Sequence, residues 1–386
     1  MEELPSHIMI DILSRLPVKT IIHCKCVCNR WRNLVSNSRF SDIHLSRSPA
    51  GLMIHHTYSK NMRSGIDRPG VLRWVEIKNE LDHQRLHHDP VMSLDLGLAP
   101  VLRESTLLQV GSVNGLICLW QSGSDISDNC DDTYICNPIT REYIILPRQI
   151  HYRNAHRTIV YGFGVGLRTN EYKVIRSSQL IQPNPHETPR LEAEVYTLGT
   201  GQWRSLGPVP YWLNGWHGPF LNGNVHWIVL DKDSIEKLCT FDIENETFQL
   251  FPSRPSDAKD ESPMHFVSLA VMRGCLCQSD TYYDDEIVIW VMKEYGIKES
   301  WCKEVVIKKS VSPDLDWVMW EPLYLMEGLK DGSFLMVYYE DFLLKYCPER
   351  KTVEKVELFD RYFNGIAYRP SFVKLVRFES ERVLVF

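Results

Sequence analysis

Apolar residues recur every three or four positions at the start of the chain, and this spacing predicts three short helices. The first helix has a stripe of apolar residues four apart, widened by two more: Leu4, Ile8, Ile12, Leu16, Met9 and Leu13. Pro5 suits a first helical turn, where its missing N–H is no loss, and Pro17 is expected to end this helix. A second helix is predicted from Val18 to about Lys25. A third is predicted from a further apolar set: Val27, Trp31, Leu34 and Val35.

Three helices of this length form a very small unit. About forty residues bury a low fraction of their unfolded surface, so such a unit is stable only with a partner or an adjoining domain. The apolar stripe therefore predicts a surface that something else covers. The alternative is an ordinary helical cap on the following domain, with no partner of its own.

The order of these residues resembles the F-box of plant F-box proteins over about residues 2 to 41. The resemblance lies in Leu4-Pro5, in the run ILSRLPVK at 12–19 and in the closing Val-Cys and Trp at 27–31. His23 and Cys24 depart from it, since an aromatic and a basic residue are common there. The resemblance implies an all-α F-box over residues 1–45 that docks to the Skp1 adaptor of an SCF-type ubiquitin ligase. The docking residues that it implies are Leu4, Pro5, Ile8, Ile12, Leu13, Leu16, Pro17, Val18, Val27 and Trp31.

From about residue 50 onward, short runs rich in Val, Ile, Tyr, Phe and Trp alternate with Gly, Asn, Asp and Pro. This alternation of apolar runs and turn residues predicts many short strands joined by turns. Two kinds of hairpin recur. In one, a glycine turn precedes an apolar strand, at Gly115, Gly223, Gly274 and Gly332. In the other, a strand ends in a polar turn and then resumes, near residues 139, 200, 245, 296 and 350.

The polar turns lie 45 to 61 residues apart, which fits the four-stranded blades of a β-propeller, whose repeats span roughly 40 to 50 residues to which longer loops add. Residues 50–386 are therefore predicted to form an all-β, propeller-like domain of about six or seven blades. The apolar run at 366–376 is expected to close the ring with a strand near residues 52–54, because an open sheet edge favours aggregation.

Four segments of this region resemble the F-box-associated domain of plant F-box proteins, which is related to kelch propellers: GSVNGLICLW, YICNPITREYIILP, YGFGVG with EYKVIR, and VYTLGTGQWRSL. That domain follows an F-box in the family, as it does here. The resemblance implies that the β domain recognises a protein substrate. The double-glycine and spaced Tyr and Trp signatures of kelch repeats are incomplete in this chain.

The charge of the 386-residue chain is −6 at pH 7, and no block of basic residues occurs. Nucleic acid is therefore not an expected partner. The N-terminus lacks the basic and apolar regions of a secretory signal, and no apolar run approaches the roughly 18 residues that span a bilayer. We expect a soluble protein of the cytoplasm, the nucleus or both, with no membrane partner.

Chemistry-bearing motifs are scarce. Eleven cysteines without a secretion signal are expected to be reduced thiols. Zinc is one interpretation of the cysteine cluster at Cys24, Cys26 and Cys28. It is not favoured, because no second pair of ligands lies nearby at zinc-finger spacing. The glycines at 162–166 lack the following helix that a phosphate-binding loop needs. No hydrolase, metalloprotease or P-loop motif occurs, so we expect no catalytic residue, no metal and no cofactor.

Aromatic residues concentrate in two connections of the β region, together with one histidine: Tyr211, Trp212, Trp216 and His217 in the first, Trp317 and Trp320 in the second. Propellers bind through loops on one face, and exposed aromatic residues are common interface anchors. These residues are our candidates for substrate binding. The alternative is that most of them fill gaps between blades.

The leading hypothesis is a non-catalytic adaptor. It binds Skp1, and through Skp1 a cullin, with its F-box, and it presents a target protein held by the β domain. Two other classes stay open. One is a propeller enzyme such as a glycan hydrolase, and the other is a scaffold or glycan-binding propeller that assembles no ligase.

Overall fold

The computed structural model describes residues 4–56, 71–76, 88–95, 107–121, 130–150, 157–180, 190–215, 217–230, 236–256, 265–282, 286–308, 323–329, 331–338, 342–356 and 363–386. The chain divides into two compact units. The first holds Met1–Ile77, His87–Ile150 and Ile366–Phe386, and the second holds Lys78–Leu86 and His151–Gly365. The predicted domain bounds, 1–45 and 50–386, stay a prediction. Within the described ranges, no helix has the length and apolar character needed to cross a membrane.

Four short helices open the first unit: α1 Ser6–Leu13, α2 Val18–Val27, α3 Asn29–Val35 and α4 Ser38–Arg47. The three predicted helices are confirmed, except that Val27, which was expected in the third helix, is the last residue of α2. Pro5 and Pro17 stand directly before α1 and α2, with φ of −55° and −57°, because a helix start requires no backbone N–H from them. Pro17 therefore begins the second helix, whereas α1 already ends at Leu13.

The strands follow, numbered in chain order: β1 Gly51–His56, β2 Val71–Glu76, β3 His88–Asp95, β4 Leu107–Val113, β5 Leu116–Gln121, β6 Cys130–Asn137, β7 Glu142–Ile145, β8 Gln149–Ile150, β9 Arg157–Val165, β10 Tyr172–Leu180, β11 Arg190–Thr197, β12 Trp203–Pro208, β13 Trp212–Asn214, β14 His217–Gly218, β15 Phe220–Leu221, β16 Asn224–Leu230, β17 Glu236–Asp242, β18 Thr247–Phe251, β19 His265–Met272, β20 Cys275–Tyr282, β21 Glu286–Met292, β22 Trp301–Lys308, β23 Leu323–Gly328, β24 Phe334–Tyr338, β25 Phe342–Cys347, β26 Thr352–Lys355, β27 Phe363–Tyr368 and β28 Leu384–Val385. Nearly all neighbouring strands pair antiparallel; β14 pairs parallel with β9.

These strands form six sheets, the blades of a β-propeller. In spatial order they are β27-β1-β2-β3 (sheet 1), β28-β7-β6-β5-β4 with β8 on β6 (sheet 2), β12-β11-β10-β9-β14 (sheet 3), β13-β16-β17-β18 with β15 on β16 (sheet 4), β19-β20-β21-β22 (sheet 5) and β23-β24-β25-β26 (sheet 6). The predicted all-β, propeller-like domain is confirmed, with six blades. The predicted pairing of the end of the β region with its first strand is present, because β27 lies beside β1.

Both predicted kinds of hairpin are present. The glycine turns Asn114-Gly115, Asn222-Gly223 and Arg273-Gly274 have positive φ at both residues, as the tight two-residue turns of hairpins require. The polar turns join neighbouring antiparallel strands of a sheet, as between β6 and β7 or between β17 and β18. The turn positions were therefore readable from the sequence.

The helices and the strands of the first unit share one core. Its helical members are Met9, Ile10, Leu13, Val18, Ile21, Cys24, Val35 and Phe40. They pack with buried residues of sheets 1 and 2 and of the C-terminal segment, among them Met53, Trp74, Tyr143, Tyr368 and Phe372. The centre of the Phe372 ring lies 5.6 Å from that of Phe40 and 5.0 Å from that of His44, with interplanar angles of 67° and 80°. One side of the helices is thus fixed to the chain's own β structure.

Candidate functional site

Helix α1 has a buried side and an exposed side. Met9, Ile10 and Leu13 are buried in the shared core. Ile8 and Ile12 are 39% and 44% exposed, and their four-residue spacing places them one above the other on the helix. Two large aliphatic side chains on one side of a single helix are costly to leave in water unless a partner covers them.

Two further apolar residues of the helical segment are exposed. Leu4, just before the helix, is 49% exposed, and Val27, the last residue of α2, is 65% exposed. The Arg30 guanidinium donates a hydrogen bond to the Leu4 carbonyl, which brings the junction of α2 and α3 next to the start of α1. We call Leu4, Ile8, Ile12 and Val27 the exposed apolar face.

The other residues of the predicted docking set have different surroundings. Leu13 and Val18 are 2% and 3% exposed and belong to the shared core. Leu16 and Trp31 are half-buried and pack against that core. Pro5 and Pro17 are exposed. The docking assignment itself stays a prediction, but the structure separates residues that a partner can reach from residues that hold the helices in place.

A polar network ties α1 to α4. The Asp11 carboxylate accepts hydrogen bonds from Arg15 at 3.2 Å and from Arg47 at 2.7 Å. These bonds lower the pKa of the exposed Asp11 carboxyl. Arg47 also donates to the Ser14 hydroxyl at 2.6 Å and to the Asp11 carbonyl at 3.1 Å. The network fixes the angle between the first and last helices, and with it the exposed side of α1.

A groove of about 410 Å³ lies beside this network. Its walls come from the connection between α1 and α2, from the end of α4 and from the end of β2: Ser14, Arg15, Leu16, Pro17, Val18, His44, Arg47, Ser48, Pro49 and Glu76. We call it the α4 groove. Three residues of the α1–α2 wall belong to the docking set predicted from the sequence: Leu16, Pro17 and Val18. The wall residues from α4 and β2 were not predicted, because only the fold brings them next to this connection.

The predicted substrate-binding residues are only partly described. Tyr211 is half-buried and packs against the core of sheets 3 and 4, whereas Trp212 is half-buried in β13. His217 is exposed in β14. Trp216, Trp317 and Trp320 lie outside the described residues. Their role in substrate binding stays a prediction.

A second depression, which no sequence pattern indicated, lies among the hairpin turns of sheets 3 and 4. Its volume is about 470 Å³, and its walls are Leu167, Arg168, Asn222, Gly223, Asn224, Asp242, Glu244 and Asn245. The Asp242 carboxylate accepts bonds from the backbone of Glu244 and Asn245, both at 2.8 Å. The site is thus built from turn residues whose spacing along the chain carries no common motif.

The glycines of β9 pack against a neighbouring sheet and do not form a phosphate-binding loop. A Cβ atom on Gly162 would lie 2.8 Å from the Trp227 ring, and one on Gly164 would lie 2.7 Å from the Phe220 ring. Glycine is required here so that sheets 3 and 4 can approach each other. Within the part of the chain that the structure describes, no three His, Cys, Asp or Glu side chains are placed to hold a metal ion.

Four short helices with exposed apolar residues, followed by a six-bladed β-propeller, define a protein with a helical N-terminal part and a β domain. Residues 1–42 match the sequence model of the F-box domain, and residues 95–372 match that of the F-box associated beta propeller domain. The second match alone spans more than half of the chain. The chain belongs to the family of F-box proteins with an F-box-associated β-propeller.

Relatives in Arabidopsis thaliana align with this chain along most of their length. The chain is 28% identical over 382 residues to F-box protein At3g07870, covering 90% of this chain and 86% of that one. It is 25% identical over 336 residues to F-box protein CPR1, covering 81% and 75%. Among solved structures, SapL1 lectin in complex with alpha methyl fucoside aligns with 11% identity and a TM-score of 0.42, covering 80% of this chain and 95% of the lectin.

Proposed function

We propose that this protein is the substrate-recognition adaptor of an SCF-type ubiquitin ligase, active in the cytoplasm, the nucleus or both. Its F-box binds a Skp1-like adaptor, and through it a cullin. Its β-propeller holds a target protein near the ubiquitin-transfer machinery. The chain contributes proximity and orientation, and the chemistry is carried out by other subunits.

The observation that carries this proposal is the exposed apolar face. Leu4, Ile8, Ile12 and Val27 are 39% to 65% exposed, although the opposite side of the same helices is buried in the chain's own core. A helical cap that served only the β domain would have no use for these side chains on its outer side. Apolar anchors of this kind carry most of the binding energy at helical interfaces.

Ile12→Asp tests the proposal. The side chain lies outside the core, so the variant is expected to fold, and a carboxylate in the middle of the exposed apolar face opposes docking. We expect the affinity for a purified Skp1-like protein to fall about 30-fold or more, since a hot-spot residue contributes about 2 kcal/mol or more. Isothermal titration calorimetry with the full chain measures the affinity, and circular dichroism checks the fold.

Leu250→Asp is the matched control. Leu250 is also about half exposed, at 49%, but it lies on β18 in the second unit. Its replacement should leave the affinity unchanged. Equal binding by the wild type and Ile12→Asp, with both chains folded, would contradict the proposal.

A further inference from the structure

The C-terminal segment, residues 369–386, contacts both sheet 2 and the helices. Its end is fixed to sheet 2, because β28 pairs antiparallel with β7, with Leu384 opposite Tyr143. The Phe386 amide donates a hydrogen bond to the Arg141 carbonyl at 3.0 Å, and the centre of the Phe386 ring lies 4.5 Å from that of Tyr143. The last residues of the chain thus extend a sheet of the β-propeller.

The middle of the segment is held by two side chains of the hairpin between β6 and β7. The amide of Asn137, which is fully buried, donates to the carbonyls of Ser371 and Val373, at 3.0 and 2.6 Å. The Leu375 amide donates to the Glu142 carboxylate at 2.6 Å. A buried hydrogen-bonding group is costly to leave without its partner. The backbone from 371 to 375 therefore has one path across this hairpin.

This path places Phe372 against α4. Phe372 lies between the two residues whose carbonyls Asn137 binds, and its ring packs on the rings of Phe40 and His44. Phe40 and His44 are 0% and 2% exposed, so this contact is part of the core below the helices. The segment therefore connects sheet 2 to α4.

The segment also reaches α2 through a group of charges. Burial lowers the pKa of the half-buried Lys25, the nearby Lys374 lowers it further, and the Glu142 carboxylate opposes both effects. Glu142 is thus close to a lysine of α2 while it accepts the hydrogen bond from Leu375. Without this carboxylate, Lys25 and Lys374 would face each other with like charges, which repel.

Helix α4 passes the position of the segment on to α1. Arg47, the last residue of α4, donates to the Asp11 carboxylate at 2.7 Å and to the Ser14 hydroxyl at 2.6 Å. Asp11 precedes Ile12, one of the residues of the exposed apolar face. A continuous series of contacts therefore leads from Asn137 on β6, through the C-terminal segment and α4, to the helix that carries this face.

We propose that the C-terminal segment holds the helices in the arrangement that docks, so that its attachment to sheet 2 sets the affinity of the exposed apolar face for the Skp1-like adaptor. This inference rests on the proposed function and adds to it a group of positioning residues that the partner does not touch: Asn137, Glu142 and Phe372. A surface that is already ordered loses less conformational freedom on binding. By linkage, docking must also stabilise the attachment of the segment.

Two variants of the full chain test the inference. Asn137→Asp replaces the amide donor by a carboxylate oxygen, which repels the carbonyls of Ser371 and Val373. Glu142→Ala is milder and removes the acceptor of the Leu375 amide. Each is expected to weaken binding of a purified Skp1-like protein about three- to tenfold, because the helices must then be ordered on docking. Isothermal titration calorimetry measures the affinity.

Glu354→Ala is the matched control for Glu142→Ala. Glu354 is an exposed carboxylate on β26, the last strand of sheet 6, where it lies 3.6 Å from the Arg350 guanidinium. It belongs to the second unit. Its replacement should leave the affinity for the Skp1-like protein unchanged.

Hydrogen exchange of the same chains distinguishes positioning from direct contact and from misfolding. In the free variants, amides of α2 and α4 should exchange faster than in the wild type, whereas those of β16, β17, β20 and β21 in the second unit should not change. Saturating Skp1-like protein should restore the protection of the helices. In the wild-type chain it should slow exchange in residues 369–378, because the coupling is reciprocal.

The outcomes separate the two proposals. Wild-type affinity in both variants would overturn this inference, whether or not their helices exchange faster. Weaker binding with wild-type exchange in α2 and α4 would overturn it as well, since the segment would then act by touching the partner. Both results leave the proposed function standing as long as Ile12→Asp abolishes binding. Absence of binding by the wild type would overturn both proposals.

Discussion

At the scale of single residues, His226 makes the second unit sensitive to acid. It is fully buried, with Nδ1 3.2 Å from the Pro219 carbonyl and Nε2 2.9 Å from the Tyr295 hydroxyl. The neutral ring satisfies both contacts, donating from Nδ1 and accepting at Nε2. Burial lowers the pKa of His226 from 6.5 to about 4.

This pKa shift predicts how stability depends on pH. The unfolded chain takes up the proton near pH 6.5, before the folded chain does, so the stabilisation is complete above that pH and is lost as the pH falls towards 4. The slope is about 1.4 kcal/mol per pH unit in this window. His226→Asn should lower the free energy of unfolding at pH 7 and flatten this slope. Urea unfolding between pH 7 and pH 4.5 measures both effects.

Phe251→Leu provides the comparison for His226. The Phe251 ring lies 5.2 Å from the imidazole, so its truncation lowers stability at every pH but keeps the titrating group. We expect the wild-type slope in this variant. A His226→Asn chain with the wild-type slope would show that His226 does not titrate in this window.

Residue exposure also corrects the prediction for α1. Met9 and Leu13 were expected to widen the stripe formed by Leu4, Ile8 and Ile12, but they are buried in the shared core. Helical spacing identifies which residues lie on the same side of a helix. It does not say which side faces the chain's own core, because that depends on residues far away in the sequence, such as Phe372.

At the scale of elements, two similar hairpin turns differ in what surrounds them. Gly115 and Gly274 are second residues of two-residue turns, with φ of +79° and +75°. A Cβ atom on Gly115 would lie 2.3 Å from the Ser371 Cβ, whereas one on Gly274 has nothing within 4 Å. Asn137 holds the Ser371 segment there by donating to the carbonyls of Ser371 and Val373, at 3.0 and 2.6 Å.

The two glycines are therefore expected to lose different amounts of unfolding free energy when each is replaced by alanine. Gly274→Ala should destabilise by about 1 kcal/mol, the cost of a left-handed backbone at a residue with a Cβ atom. Gly115→Ala should cost that amount and about 2 kcal/mol more, because the added methyl group displaces the C-terminal segment. Thermal unfolding of both variants measures the difference. Equal losses would contradict the packing of Ser371 against this turn.

Helix α4 is the element that sequence reasoning missed. Its residues, SRFSDIHLSR, are mainly polar, so apolar spacing gives little signal. Its start is stabilised by Asn37, whose side chain accepts a hydrogen bond from the Arg39 amide at 2.9 Å. An asparagine cap followed by so few apolar residues is a weak signal, and the burial of Phe40 and His44 comes from their contacts with Phe372.

At the scale of the whole molecule, the four helices depend on β structure of their own unit. Eight helical side chains, from Met9 to Phe40, are buried in a core that also contains residues of sheets 1 and 2 and of the C-terminal segment. A fragment of residues 1–49 loses these contacts and keeps mostly short helices, which are marginal in water. We expect low helicity by circular dichroism for this fragment alone.

The same fragment offers a check on docking. Added Skp1-like protein should raise the helicity of the fragment, since the exposed apolar face remains available. The free energy of binding can then compensate for the conformational entropy that the chain loses when the helices form. The full chain, in which the β domain supports the helices, serves as the reference for folded helices. A fragment that is fully helical without partner would show that the shared core is dispensable for the helices.

The sequence by itself determined the N-terminal helices, the many short strands, the positions of the turns and the family. Each of these depends on the local spacing of residues or on the order of short motifs. Tertiary structure alone decided which side of α1 is exposed, since the other side is buried in a core that α1 shares with residues distant in sequence. It also decided where His44, Ser48 and Glu76 meet the end of α1. Contacts between distant segments follow from the packing of whole elements, and no local pattern of residues encodes them.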